Sequence, residues 1–237
     1  MDVASSAVRG HPLIAPERAA HVTYRRTRLA VGLLVVGAAL FRAGESTPSL
    51  ADAWDASAER RLEIIAAHES AWIRASLLMG AGALVQAGGL VFLTDAFRRG
   101  PGRRLAEAGL GAFLLGVLCW LILCSFRLVV SLGAARDLDP TPNALAFYDT
   151  VEDWAVSLAG AYMLLGGLAF LAFWGALLRN GLTGRVRWLV IVFGLAMVAA
   201  IAGIPLVVNV DLALLGLAVL ILTRGRERER RRCSPYA

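Results

Sequence analysis

The chain has 237 residues, 58% of them hydrophobic, with a mean hydropathy of +0.64, 24 basic and 18 acidic side chains, a formal charge of +6 and a pI near 10. Apolar runs approaching twenty residues exclude an ordinary soluble domain and place the chain among integral membrane proteins, where a basic balance reports orientation before it reports a partner. The three cysteines make no disulfide framework: Cys119 and Cys124 sit five residues and about 140° apart on one helix, and Cys233 stands beside an arginine run.

Six segments are predicted to cross the membrane, at 29–44, 73–97, 106–132, 151–178, 188–203 and 206–223. The fold predicted is all-α, a bundle of six transmembrane helices with an amphipathic helix on its outer face. Residues 1–28 form a basic N-terminal segment, 29–223 the transmembrane domain and 224–237 an arginine-rich tail.

The first span is short, since the thirteen residues of "LAVGLLVVGAALF" make about 20 Å of helix against roughly 30 Å of hydrocarbon. A basic flank before a short apolar core also describes a signal peptide. The segment is read as a retained helix, because Arg28 and Arg42 can snorkel at its two ends and no clean small-residue cleavage site follows. After it, "TPSLADAWDASAERRLEIIAAHES" sets Leu50, Trp54, Ala58, Leu62 and Ile65 in one apolar stripe, predicting an outer-surface helix started by a Thr47 cap and Pro48. Thr141 with Pro142 marks the start of the helix that becomes the fourth span. Trp72 and Trp154 fall at predicted outer ends, Trp174 and Trp188 at inner ends, where indoles favour the headgroup level.

The last two spans share Trp188 to Thr223, so the turn between them is short. Placed at "GIPL", with Gly203 and Pro205, it is recessed and sets Asn209 and Asp211 in a shallow outward pit; placed at "NVD", it leaves Asp211 an ordinary loop carboxylate. Arginine decides the orientation. Every basic residue is arginine, a bias read as GC-rich, bacterial coding. Eighteen of the 24 fall before the first span (Arg9, Arg18, Arg25, Arg26, Arg28), after the second (Arg98, Arg99, Arg103, Arg104), after the fourth (Arg179, Arg185, Arg187) and in the tail (Arg224, Arg226, Arg228, Arg230, Arg231, Arg232). The alternate loops are acidic. Both termini are therefore expected in the cytoplasm of a multi-pass cell-membrane protein.

Polar side chains inside the spans are costly and hence informative. Counted from each inner end at about 1.5 Å per residue, Gln86 lies roughly 16 Å up, Asp211 roughly 18 Å, Asn209 roughly 21 Å, Tyr162 roughly 24 Å and Arg127 roughly 33 Å. These five are the candidate ligand-binding residues, crowded into the middle and outer half. Apolar residues continue beyond Arg127, so that end of the helix is expected to be covered by protein. Asp211 is the acid available to pair with Arg127, and a structural ion pair that fixes helix register is favoured over a substrate site. Asp95 and Glu107 stand next to the inner arginines and are expected to pair with Arg98, Arg99 or Arg103. Ala112 with Gly116, and Ala196 with Ala200, are small residues at helix-packing spacing. The tail "RGRERERRR" suits anionic lipid headgroups. His11, His21 and His68 are too scattered for a metal, no HExxH, GxSxG, Walker-type or CxxC arrangement occurs, and neither an enzyme, a cofactor nor a nucleic-acid partner is predicted.

The segments "YRRTRLAVGLLVVGAALF" (24–41), "FRRGPGRRLAEAGLGAF" (97–113) and "LLRNGLTGRVRWLVIVFGL" (177–195) distantly resemble the inner loops and helix entries of a six-helix bacterial membrane protein family known only as a domain of unknown function. The resemblance implies the six-helix fold and no particular activity. Two functions follow from the residues themselves: binding or transport of a small molecule or ion through a polar pocket in the outer half, or a structural or protein-interaction role in the membrane with no ligand. Reporter fusions at Gly100, Gly181 and the C-terminus are predicted to read cytoplasm, and those at Ser57 and Asn143 exterior. A cytoplasmic signal at Asn143 would overturn the arrangement of the third and fourth spans.

Overall fold

The computed structural model describes residues 14–53, 56–98, 100–137, 142–180 and Gly216, and its described residues are helical with no strand. Helix α1 (Ile14–Glu45) is followed by a 3-10 turn (Pro48–Ala53), α2 (Ala58–Ala67) and α3 (Glu69–Thr94). Then come α4 (Arg103–Phe126), a π-helical turn (Arg127–Ser131), α5 (Leu132–Ala135) and α6 (Pro142–Arg179). Four stretches are long and apolar enough to cross a membrane: Arg25–Glu45, Glu69–Phe97, Arg103–Ala135 and Leu145–Arg179. They coincide with the first four predicted spans. The last two predicted spans lie outside the described residues apart from Gly216, which is helical, buried and set against Leu34 and Val31 of α1.

Local chemistry sets the joints. Thr47 precedes a proline, which disfavours the helical region for it, and α1 stops just before. Its hydroxyl donates to the Gly44 carbonyl at 2.9 Å, closing α1 rather than capping a following helix. The outer segment is accordingly two pieces instead of one: the 3-10 turn, and α2 with Ser57 as its N-cap, whose Oγ accepts the Arg60 N–H at 3.5 Å. The predicted stripe is buried at Leu50, Leu62 and Ile65, while Trp54 lies outside the described residues. Pro142 opens α6, where its missing N–H costs nothing. With 38 residues, or about 57 Å at 1.5 Å per residue, α6 outruns a hydrocarbon core and flanks α2.

The long helices pack as two antiparallel pairs, α1 with α3 and α4 with α6, joined along α3 and α4. Each pair closes on a seven-residue repeat of small residues. In the first, Ala30, Gly37 and Gly44 face Gly89, Gly82 and Ala75: a Cβ built on Gly37 would stand 2.7 Å from the Gly82 carbonyl, one on Gly82 2.7 Å from the Gly37 carbonyl, and one on Gly44 2.6 Å from the Ala75 carbonyl. In the second, Gly102, Gly109 and Gly116 face the carbonyls of Ala176, Ala169 and Tyr162. Seven steps up one helix match seven down the other, the repeat that left-handed helix pairs use. Gly116 is thus a packing residue as expected, at a spacing of seven from Gly109.

The two ends of the bundle differ. One end carries arginines, where Asp95 takes Arg26 at 2.8 Å and Arg98 at 2.9 Å, and Glu107 takes Arg103 at 2.7 Å. The other is roofed by the 3-10 turn, which lies against α3, and by α2, which lies against α5 and α6. On the outer faces Leu77, Leu84 and Val91 of α3 and Leu115, Leu118 and Ile122 of α4 are exposed, an apolar surface that suits lipid.

Two glycines of α3 should respond with opposite signs. Gly82→Ala presses a Cβ onto backbone atoms of α1 and should destabilise by about 1–3 kcal/mol, whereas among the described residues nothing lies within 4 Å of a Cβ on Gly88. Gly88→Ala should then stabilise by up to about 1 kcal/mol through helix propensity. Reversible unfolding in mixed detergent measures both, and shifts of the same sign would remove the seam.

Candidate functional site

Where the α4–α6 repeat of small residues ends, the helices line a cavity. The next step of the α4–α6 repeat beyond Gly116 and Tyr162 falls on Leu123 and Ala155, both of which line a space of about 740 Å³ at the roofed end. A leucine does not permit the backbone approach that glycine does. The volume is that of a small-molecule site.

Three aromatic rings from three helices lie at the inner limit. Phe41 of α1 and Tyr162 of α6 each have their ring centre 4.9 Å from that of Trp120 on α4, and 6.0 Å from each other. Phe113 lies 6.2 Å from Tyr162 on the side away from the roof. Such offset and tilted contacts add to what area burial contributes. Trp120 is buried, and its indole N–H has no hydrogen-bond acceptor among the described residues.

The wall is built on Arg127, which is 4% exposed. Its guanidinium lies over the Trp72 ring, Cζ 3.8 Å from the ring centre, and its Nε donates to Ser76 Oγ at 3.0 Å. The Trp72 indole N–H in turn donates to the Arg127 carbonyl at 2.9 Å. The π turn makes this reciprocal contact possible: its hydrogen bonds reach one residue further than those of an α-helix, widening the turn and loosening the carbonyls at its start. A desolvated cation–π contact is worth roughly 2 kcal/mol and a hydrogen bond from a charged group roughly 1.5–3 kcal/mol, which offset much of the cost of taking the guanidinium out of water. Four residues along the same turn, Ser131 accepts the Tyr148 hydroxyl at 3.2 Å and also lines the cavity.

Arg61 fastens the roof. Its Nε donates to the Ala53 carbonyl at 2.7 Å, one terminal nitrogen to the Ala56 carbonyl at 2.8 Å, and the other pairs with Glu152 of α6. One guanidinium thereby ties the 3-10 turn, the start of α2 and α6 together. Beside it Arg42 and Glu45 of α1 pair at 2.9 Å on the rim. Outside the roof, Arg136 pairs with Glu69, whose carboxylate raises the arginine's pKa by hydrogen bonding to it.

Of the residues singled out from the sequence, Arg127 lines the cavity. Gln86 and Tyr162 are buried but are not among its lining residues: Gln86 packs against the α1 backbone at Gly37, and Tyr162 lies in the aromatic cluster. Asn209, Asp211 and the arginine-rich tail lie outside the described residues, and with them the proposed partner of Arg127. Trp72, expected at the headgroups, is instead enclosed beneath the guanidinium; Trp174 is also buried, edge-on to Phe170, and Trp154 alone of these three is exposed. Arg61 and Glu152 were not singled out. The signal for Arg61 was its place three residues after Ala58 and four before Ile65, on the inward stripe; Glu152 carried none, because nothing local distinguishes it from the acids around it.

No group of three or more His, Cys, Asp or Glu side chains able to hold a metal occurs among the described residues. The arrangement offers recognition: a positive charge and hydrogen-bond donors in an apolar enclosure. Searches against family models, curated proteins and solved structures return no match for this chain.

Arg61 and Glu152 are each less than one-fifth exposed, so their removal should be felt. Arg61→Ala should destabilise more than Glu152→Ala, because it also releases the Ala53 and Ala56 carbonyls, and the pair should couple by about 0.5–3 kcal/mol in a double-mutant cycle. Arg61→Lys should recover only part of the loss, since an ammonium cannot fork to three acceptors. Unfolding in mixed detergent measures all four proteins, and strict additivity would unfasten the roof.

Proposed function

We propose that this chain is a six-helix protein of the cell membrane, with both termini in the cytoplasm, that binds or transports a small molecule or ion in the cavity of its outer half. Six spans follow from the hydropathy of the sequence, including the segments at 188–203 and 206–223. The described helices supply four of them, and the contact of Gly216 with α1 is what a sixth span packed on the first would make. The alternation of arginine with acidic loops supports the orientation, which puts the roofed end outside.

The observation that carries the binding role is the wall of the cavity. A guanidinium buried in the wall of a space of about 740 Å³ is expensive as packing alone. A helix pair that only needed register would be better served by an apolar residue at this position.

Access decides it. With the three native cysteines replaced by alanine, Ser131→Cys in intact cells should react with a small charged methanethiosulfonate added outside, and Gly88→Cys, on a face of α3 that no described residue covers and within the apolar zone, should not. Ser131→Cys that stays unlabelled from the outside would show a cavity closed to outer solutes and favour the ligand-free, structural role.

A further inference from the structure

We infer that the arginine end of the bundle seats anionic phospholipid of the leaflet it faces, with the phosphate on Arg25 or Arg104 and an acyl chain over the open glycine seven residues above each. These seats lie at the opposite end from the cavity and stand apart from its role.

Depth comes first. Arg25 is the first residue of the apolar stretch Arg25–Glu45 and Arg104 the second of Arg103–Ala135, and both helices run away from the arginine end. Each guanidinium therefore stands at the edge of the hydrocarbon, where its stem can lie along apolar surface while its head reaches the level of lipid phosphates. Both arginines are exposed. The acids beside them are engaged: Asp95 takes Arg26 and Arg98, and Glu107 takes Arg103. Among the described residues no ion pair holds Arg25 or Arg104, so the fork of each is presented to the leaflet, and a phosphate diester fits it.

One spacing then recurs on two helices. Arg25, Leu29, Gly32 and Val36 of α1 follow one another at steps of four, three and four, and so do Arg104, Ala108, Gly111 and Leu115 of α4. Such steps keep each set on one face. All eight residues are exposed. In each set the glycine is about 10 Å above the arginine, and among the described residues nothing lies within 4 Å of a Cβ built on it. Leucine is a better helix former than glycine and suits lipid equally well. Orientation alone would be served by arginine anywhere in the loop; a cation below a notch on a lipid-facing line has the outline of a headgroup with a chain rising from it. On α4 the line continues through exposed Leu118 and Ile122, long enough to follow that chain.

The lipid shell can be read by electron spin resonance. Phosphatidylglycerol and phosphatidylcholine, each spin-labelled near the chain end, are introduced in turn into phosphatidylcholine membranes holding the whole chain, and the motionally restricted fraction is measured. Phosphatidylglycerol should be preferred about threefold, and the preference should fall towards one at 1 M salt, where the Debye length is about 3 Å. Arg25→Gln with Arg104→Gln should remove most of it, whereas glutamine in place of the six tail arginines should leave it. Gly32→Leu with Gly111→Leu, which fills both notches, should at least halve it with the arginines still present. Glycerol phosphate in excess, a headgroup without chains, should displace nothing. Equal restriction of the two lipids by the unmutated protein would overturn the anionic partner, and that comparison needs no variant to fold. A preference lost with the tail arginines and kept without Arg25 and Arg104 would overturn the placement. One untouched by the leucine pair would overturn the chain seat, and displacement by glycerol phosphate would overturn the lipid in favour of a soluble phosphate ester.

Discussion

The buried guanidinium of Arg127 is the constraint around which the roofed end of this protein is arranged. A charge that is 4% exposed has to be given back some of what water supplied. It receives an indole face, a serine hydroxyl and, through its own carbonyl, a hydrogen bond from the same indole. That set requires α3 to present Trp72 and Ser76 one turn apart on one face, and α4 to open into a π turn at this residue. Both helices are bound to each other there through side chains, whereas the close backbone contacts run within the α1–α3 and α4–α6 pairs.

Two modes of helix packing meet at this level. Towards the arginine end, glycine and alanine at every seventh position let α1 lie on α3 and α6 on α4 with backbone against backbone. Towards the roof the α1–α3 seam continues to Gly44 and Ala75, while the α4–α6 repeat runs into Leu123 and the interior opens beside the rings of Phe41, Trp120 and Tyr162. A tight α4–α6 seam lies at one end and a space walled by side chains at the other. The roof completes the enclosure through Arg61, a second arginine whose bonds all go to neighbouring protein. The two arginines thus do different things, Arg61 fastening segments together and Arg127 standing on the wall of the space they enclose.

Side-chain periodicity made much of the scaffold legible in advance. Leu50, Leu62 and Ile65 were placed on one apolar stripe by spacing alone, and they are buried. Pro142 opened its helix as a proline at that position should. Thr47 was misjudged because a hydroxyl before a proline can bond backwards as well as forwards, and the end of α1 offered the Gly44 carbonyl. Trp72 was misjudged for a more general reason: an indole near a span's end satisfies the headgroup rule and a cation–π wall equally well, and only the arrival of Arg127 from another helix decides between them.

The sequence by itself determined the all-helical class, the positions of four apolar helices, the alternation of arginine and acid around them, and the oddity of an arginine within an apolar run. Those are one-dimensional properties, since hydropathy, helical period and local charge are summed over neighbours in the chain. The tertiary structure alone decided what Arg127 touches, that Arg61 holds the roof to Glu152, and that a cavity lies between them. Each of those depends on residues more than fifty positions apart meeting at a common height, which is set by the register of the glycine seams. A shift of one residue in that register would turn each small side chain out of its seam while leaving the hydropathy of every span unchanged.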